Sequence, residues 1–147
     1  MGNKEIGIGE IGDLQIVLSE SLGVCSLAIQ DAVNAAAEKV GKEAVNKLKA
    51  TSPKGDNKTH AYSKGWRYKV TKVQADGSFD IKIYNATYGS LTHLLEKGHP
   101  LIRNGATVGR AKAKPHIGPV NDWVQNEGFK QIADAVQKAI QQIKIGG

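Results

Sequence analysis

The ionisable residues of this chain are placed for electrostatic contact more than for catalysis. Between Lys97 and Asn121 there are five Lys or Arg and no Asp or Glu. Arg103, Arg110, Lys112 and Lys114 fall in that run, among glycines and small residues. A second basic group, Lys54, Lys58, Lys64, Arg67 and Lys69, precedes it. Residues 51–73 and 97–121 each sum to +5, whereas 1–50 and 74–96 sum to −2 each and 122–147 to zero, giving the net +6. Cations on mobile stems suffice to neutralise a phosphate backbone and need no base-reading geometry. Aromatic residues are scarce. Tyr62, Trp66 and Tyr68 are the candidates for base stacking, and the pattern assigns Trp66 and Tyr68 to the core. The charge therefore points to an anionic neighbour without sequence-specific recognition.

The arrangements that would support catalysis are weak. His93, Glu96 and His99 are spaced by three, but Gly98 ends any helix before His99, so they do not form a zinc-binding pair on one helix face. No serine sits in a nucleophile-elbow setting, and the aspartates Asp13, Asp31, Asp76 and Asp122 are scattered over unrelated segments. There is no phosphate-binding P-loop. Gly7, Gly9 and Gly12 match a dinucleotide fingerprint as a string, without the strand that should precede them. The single cysteine, Cys25, reads as a small core residue in a helical pattern, and one cysteine cannot form an internal disulfide. The expectation is no catalytic residue, no metal and no cofactor. The N-terminus lacks the pattern of a secretory signal, and no apolar run approaches a membrane span.

The elements that position these residues follow from periodicity. The length, 147 residues, suits one domain. Residues 1–20 read as an N-terminal arm or short strand. Residues 21–50 read as a long helix with Leu27, Val33, Ala37, Val40, Ala44 and Leu48 on one side, capped by Ser19 or Ser21 and ended by Thr51-Ser52-Pro53. Residues 66–87 alternate as a hairpin about Asp76-Gly77, with Trp66, Tyr68, Val70, Ile81 and Ile83 on the face toward the helix. A two-residue turn there pairs Tyr68 with Asn85 and Val70 with Ile83. Tyr88 to Lys97 reads as a short helix with Leu91, Leu94 and Leu95 inward, and Gly98 as its C-cap. Residues 99–114 read as a long basic loop, and 119–143 as a C-terminal helix that Asn126 and Gly128 could bend. The fold class is α+β: a small antiparallel sheet packed by a long N-terminal and a C-terminal helix. Two strands are marginal alone, so further strands must come from the arm, the basic loop or a neighbouring subunit.

The order of short motifs is informative. Gly65-Trp66 opens the hairpin, and Asn85-Ala86-Thr87-Tyr88 closes it. Leu95-Glu96-Lys97-Gly98 follows, and Pro115-His116-Ile117-Gly118-Pro119 leads into the last helix. Over roughly residues 20–143 this order and spacing resembles the tail-completion, or head–tail joining, proteins of long-tailed bacteriophages, the lambdoid "gene product ten"-like family. Asn121, after Pro119-Val120, departs from the small or acidic helix start usual there. Lys64-Gly65-Trp66 departs from a commoner Gly-x-Leu-arginine pattern.

The resemblance implies a structural virion protein, assembled in the host cytoplasm, that forms a ring (commonly a hexamer) at the tail terminus. Its partners would be the tail tube protein, the head connector or stopper protein, and phage DNA passing through the lumen, with no membrane. Arg103, Arg110, Lys112 and Lys114 would then face the lumen or a partner ring. Gly65, Trp66, Asn85, Tyr88, Leu95, Glu96, Gly98, Pro115 and Pro119 would be structural. On the residues themselves, Asn85 and Tyr88 fix a turn, Glu96 serves as a cap or a local partner, and His116 is an ordinary polar residue at a helix entrance. The competing reading is a small non-specific DNA-binding accessory protein.

Overall fold

The computed structural model describes residues 6–8, 13–54 and 62–146, without the side chains of 144–146. Gly9, Gly12 and Lys58, singled out above, lie outside the described residues. In chain order the elements are β1 (Gly7–Ile8), β2 (Leu14–Ser21), α1 (Leu27–Thr51), β3 (Trp66–Thr71) and β4 (Ser78–Asn85). A 3₁₀ turn (Gly89–Leu91), α2 (Thr92–Lys97), β5 (His99–Arg103) and β6 (Ala106–Ala111) follow. The chain ends with α3 (Ile117–Trp123), a π-helical turn (Val124–Gly128) and α4 (Phe129–Gly146). The fold is α+β, with a long N-terminal helix, a C-terminal helix and small antiparallel sheets.

The main sheet has four antiparallel strands in the order β1-β2-β4-β3. The N-terminal segment supplies the missing strands. In β2, Leu14, Ile16 and Leu18 are buried and alternate with half-buried Gln15 and Val17, the period of a strand covered on one face. Ile16 pairs with Ile83 and Leu18 with Ile81, so β4 lies central and its isoleucines meet apolar partners on both sides. The long helix accordingly starts later than residue 21. The strand runs to Ser21, Leu22 N–H bonds Gly77 O at 2.9 Å, and Gly23 turns the chain at φ 70°. Ser26, in place of Ser19 or Ser21, caps α1, its Oγ accepting from Ile29 N–H at 3.3 Å. Cys25 precedes the helix and is only half-buried, so it is not the core residue the pattern suggested.

The β3–β4 register differs by two residues from the tight-turn expectation. Tyr68 pairs with Ile83 and Val70 with Ile81, while Trp66 pairs with Asn85. Asp76-Gly77 is not a two-residue hairpin loop. The turn runs from Gln74 to Gly77, closed by Gly77 N–H to Gln74 O at 2.9 Å, and Val73 N–H is drawn to Asn34 Oδ1 of α1 at 3.0 Å. A slip of two keeps every side chain on its face, because the pleat repeats every two residues. Trp66, Ile81 and Ile83 therefore still point at the helix layer, joined by Phe79.

α1 lies on this face with Val33, Ala37, Val40, Ala44, Val45 and Leu48 buried, and α3 and α4 run beside it with Ile117, Val120, Val124 and Ile132 buried. Two glycines permit close approaches between α1 and its neighbours. A Cβ on Gly128 would come within 2.8 Å of Val40 Cγ1, and one on Gly41 within 2.5 Å of the Tyr68 ring. Gly41→Ala is thus expected to destabilise. Overpacking against a ring atom costs about 1–3 kcal/mol, more than the roughly 1 kcal/mol gained from helix propensity. The urea midpoint should fall, and fall less in Gly41→Ala/Tyr68→Ala than the two single losses summed.

The basic segment 99–114 is not a loop. His99–Arg103 and Ala106–Ala111 form a second, two-stranded sheet. Asn104 and Gly105 adopt φ 51° and 77°, as a two-residue type I′ turn requires. Val108 is the extra residue of a bulge between the pairs Leu101–Gly109 and Ile102–Thr107. In α2 the buried residues are the polar Thr92 and Glu96; of the leucine face expected, Leu91 and Leu95 are half-buried against the core and Leu94 is not part of it.

Candidate functional site

The hairpin stands on a buried polar clasp built by four separate segments. At the end of α1, Ser52 Oγ donates to Leu48 O at 2.5 Å and accepts from Trp66 Nε1–H at 2.8 Å. Trp66 is fully buried, and its ring meets those of Tyr62 and His116 edge-on at centroid distances of 5.7 and 6.2 Å. Tyr62 O–H donates to His116 Nε2 at 2.6 Å, and His116 Nδ1–H donates to Lys114 O at 2.7 Å. Both contacts are met at once by a neutral imidazole protonated on Nδ1. Far from being an ordinary polar residue at a helix entrance, His116 is 1% exposed.

Glu96 completes the clasp. Its Oε1 accepts from His116 N–H and Ile117 N–H at 2.7 Å each, and its Oε2 from Gly118 N–H at 2.9 Å. The first N–H groups of a helix have no partner within it. His116, at the cap position, makes no side-chain bond to them. A carboxylate from α2 takes that part and also opposes the positive end of the helix dipole. Lys114 N–H to Leu95 O at 2.7 Å ties the same two segments.

The remaining motif residues shape the surroundings. Asn85 Oδ1 accepts from Thr87 and Tyr88 N–H at 3.1 and 2.8 Å, and its Nδ2–H donates to Tyr62 O at 2.8 Å. Tyr88 enters this turn through its backbone, its side chain being 39% exposed. Gly65 packs where a Cβ would lie 2.6 Å from Asn85 Oδ1. Gly98 has φ 74°, and a Cβ there would meet Ala111 O at 2.5 Å. The hairpin base is therefore pressed onto the end of α2. Pro115 lies between Lys114 and His116, and Pro119 sits in the first turn of α3, where its missing N–H costs nothing.

Burial sets the protonation of the clasp. Desolvation lowers the His116 pKa below its ordinary 6.5, outweighing the Lys114 carbonyl and the Glu96 carboxylate, which raise it. Burial, with the Glu96 charge, pushes the Tyr62 phenol upward, so it remains the donor. With a folded value below 6.5, the unfolded chain binds more protons in the window beneath 6.5. The contribution of His116 to stability is thus complete above that pH and declines as pH falls through the folded value. The urea midpoint is expected to drop between pH 8 and pH 5, and His116→Gln should flatten that dependence.

Beyond the clasp, residues 100–110 are all exposed. The four cations share one arm without converging. Arg103 is next to the tip, opposite Ala106, and Arg110 is opposite Pro100. Arg103 and Leu101 share one face, and Ile102 and Arg110 the other. Lys112 and Lys114 are exposed at the base. Among the described residues none of the four meets a carboxylate. The earlier basic group is divided. Lys69 faces Lys82 across the ladder on the outer sheet face, while Arg67 Nη1 donates to Lys64 O and Trp66 O at 2.8 Å. His93 is exposed, Glu96 caps α3, and no described group of three or more His, Cys, Asp or Glu could hold a metal ion. Sequence reasoning missed the hairpin's exposed apolar residues: Leu101, Ile102 and Val108 are 43%, 62% and 60% exposed. The signal was present as Asn104-Gly105 between Leu-Ile-Arg and Ala-Thr-Val. Tyr62, a base-stacking candidate in the sequence, is fully buried and cannot stack on a base; its role and that of Ser52 in the clasp depend on contacts remote in sequence.

Residues 18–98 match the family model HK97-gp10-like, described as "Bacteriophage HK97-gp10, putative tail-component". The chain belongs to this family. The match spans just over half of the 147 residues, from the end of β2 through α1, β3, β4 and α2 to Gly98. This HK97-gp10-like protein is accordingly a bacteriophage tail component of the virion, and its family is a structural one. The matched span ends with the Leu95–Gly98 half of the clasp, and the hairpin lies beyond it. Nothing matches among curated proteins or among solved structures. No described helix is long and apolar enough to cross a membrane.

Proposed function

We propose that this tail component is a ring subunit, a hexamer by the family resemblance, that joins the end of the tail tube to the head connector around the DNA channel. The observation that carries this reading is the hairpin itself. It is locked at its base by Glu96, His116 and Gly98, yet it projects exposed cations and apolar side chains that no described residue of its own chain covers. A two-stranded ribbon is marginal by itself, so an arm of this kind acquires its packing from a partner. Arg103, Arg110, Lys112 and Lys114 then face the lumen or the adjoining ring. Native mass spectrometry and electron microscopy, with tail tubes and connectors present, should show closed rings at the tube end. A strict monomer under those conditions would overturn the reading.

The unpaired cations also favour a second reading, a small accessory protein that binds duplex DNA without sequence preference. Four phosphate contacts give a slope of log K against log salt of about −3.6, abolished when the four cations are made neutral. No duplex binding at low salt would remove it.

A further inference from the structure

A second unpartnered apolar surface lies on the helix layer. Residues of α1 and α4 line an open groove of about 820 Å³ there. Its walls include Ala28, Ala32, Ala35, Ala135, Ala139 and Ile143. At the same end of α1, Val24 and Leu27 are 91% and 75% exposed. Gln131, which also lines the groove, has a buried Oε1 with no hydrogen-bond partner. Alanine walls leave room for larger side chains to enter.

The hairpin has the complementary character. Leu101, Ile102 and Val108 are exposed on a narrow ribbon. A chain cannot insert its own hairpin into its own groove. α3 and α4 run antiparallel to α1, since Trp123 lies beside Lys47 and Gly128 beside Val40. The clasp at Ser52 and His116 is therefore at one end of the helix pair and the groove at the other. Leu48 and Ala32 are roughly 24 Å apart along the helix axis, and Gly98 fixes the hairpin at the clasp end.

We propose that the hairpin of one copy docks in the α1–α4 groove of the next, with Ile102 and Val108 among the alanines. The contact joins two different surfaces at opposite ends of one subunit. It is therefore head-to-tail, and such contacts close into rings when the rotation allows. Lys39, Asp134 and Lys138 on the groove lining have mixed sign, so apolar contact rather than charge carries the docking. This proposal rests on the ring reading and specifies its subunit interface.

Two sets of variants test it on the full chain added to isolated tail tubes. In a Cys25→Ser background, Ile102→Cys with Ala135→Cys should give covalent multimers on oxidation. Ile102→Cys with Lys82→Cys should not, because Lys82 is on the outer face of the sheet. Ile102→Asp with Val108→Asp should raise the concentration for half-assembly by roughly a hundredfold and leave the urea midpoint unchanged. Equal cross-linking of both cysteine pairs, or rings that form normally with the aspartate pair, would overturn the docking and leave the ring reading standing. An unaltered chain that stays monomeric on tail tubes would overturn both.

Discussion

Glu96→Ala is expected to lower the unfolding free energy by about 3–5 kcal/mol, the cost of removing one side of a buried charged contact. The carboxylate accepts three backbone N–H groups, from His116, Ile117 and Gly118. Bonds to a charged group contribute about 1.5–3 kcal/mol each in net terms, and a buried donor left unpaired costs about 1–3 kcal/mol. The three are not additive, because they share one acceptor and one helix end. Among the described residues the N–H groups at the start of α3 have no other side-chain acceptor, and His116 offers no side-chain cap. Glu96→Gln should lose less than Glu96→Ala, because one carbonyl oxygen remains. Against a total stability of about 5–15 kcal/mol, the alanine change removes a large share of the total. Urea unfolding at pH 7 measures both. An alanine variant within 1 kcal/mol of the parent (about the size of an ordinary hydrogen bond) would show that the cap is not what holds α3 to α2.

Trp66→Ala is expected to cost a similar amount, about 3–5 kcal/mol, as for other large-to-small core changes. The indole is fully buried, and its neighbours Tyr62, His116 and Leu48 are themselves at 0–1% exposure, so little can collapse into the space. The loss has two parts. The cavity accounts for most, and the Nε1–H bond to Ser52 Oγ at 2.8 Å accounts for the remainder. Trp66→Phe separates them, keeping much of the volume and leaving Ser52 without its donor. Its loss should be smaller, about 1–3 kcal/mol. Ser52→Ala/Trp66→Phe should then cost less than the two single changes together, because each single change breaks the same bond. Additive losses would mean that the bond contributes nothing to stability.

Both changes strike the clasp, and both should disturb the hairpin through its base. The Ile102 and Val108 changes at the tip should leave the fold alone. That contrast separates what holds the arm in place from what the arm does. In the docking proposed above, a tip presented on a base already held by the clasp would keep the ordering cost low.

Chain periodicity alone determined much of this fold. The apolar spacing from Val33 to Leu48 specified a helix, and the alternation of Trp66, Tyr68, Val70, Ile81 and Ile83 specified which face of a strand pair meets it. Those patterns are local, and burying one stripe or one face is their only low-energy use. The motif Leu95–Gly98 lies within the span that matches the family, and Pro115–Pro119 lies beyond it. The register of β3 on β4 was not legible, because Asn34 on a distant helix sets the turn by binding Val73 N–H. The hairpin at Asn104-Gly105 was legible in principle but masked by its charge. A run of cations among small residues resembles a solvated loop until the type I′ turn is weighed. What only the tertiary structure decided is the clasp. Ser52, Tyr62, Trp66, Glu96 and His116 are spread over 65 residues of sequence, and no period connects them. They meet because each has a polar atom that burial would leave unpaired, and the fold offers each the others as partners.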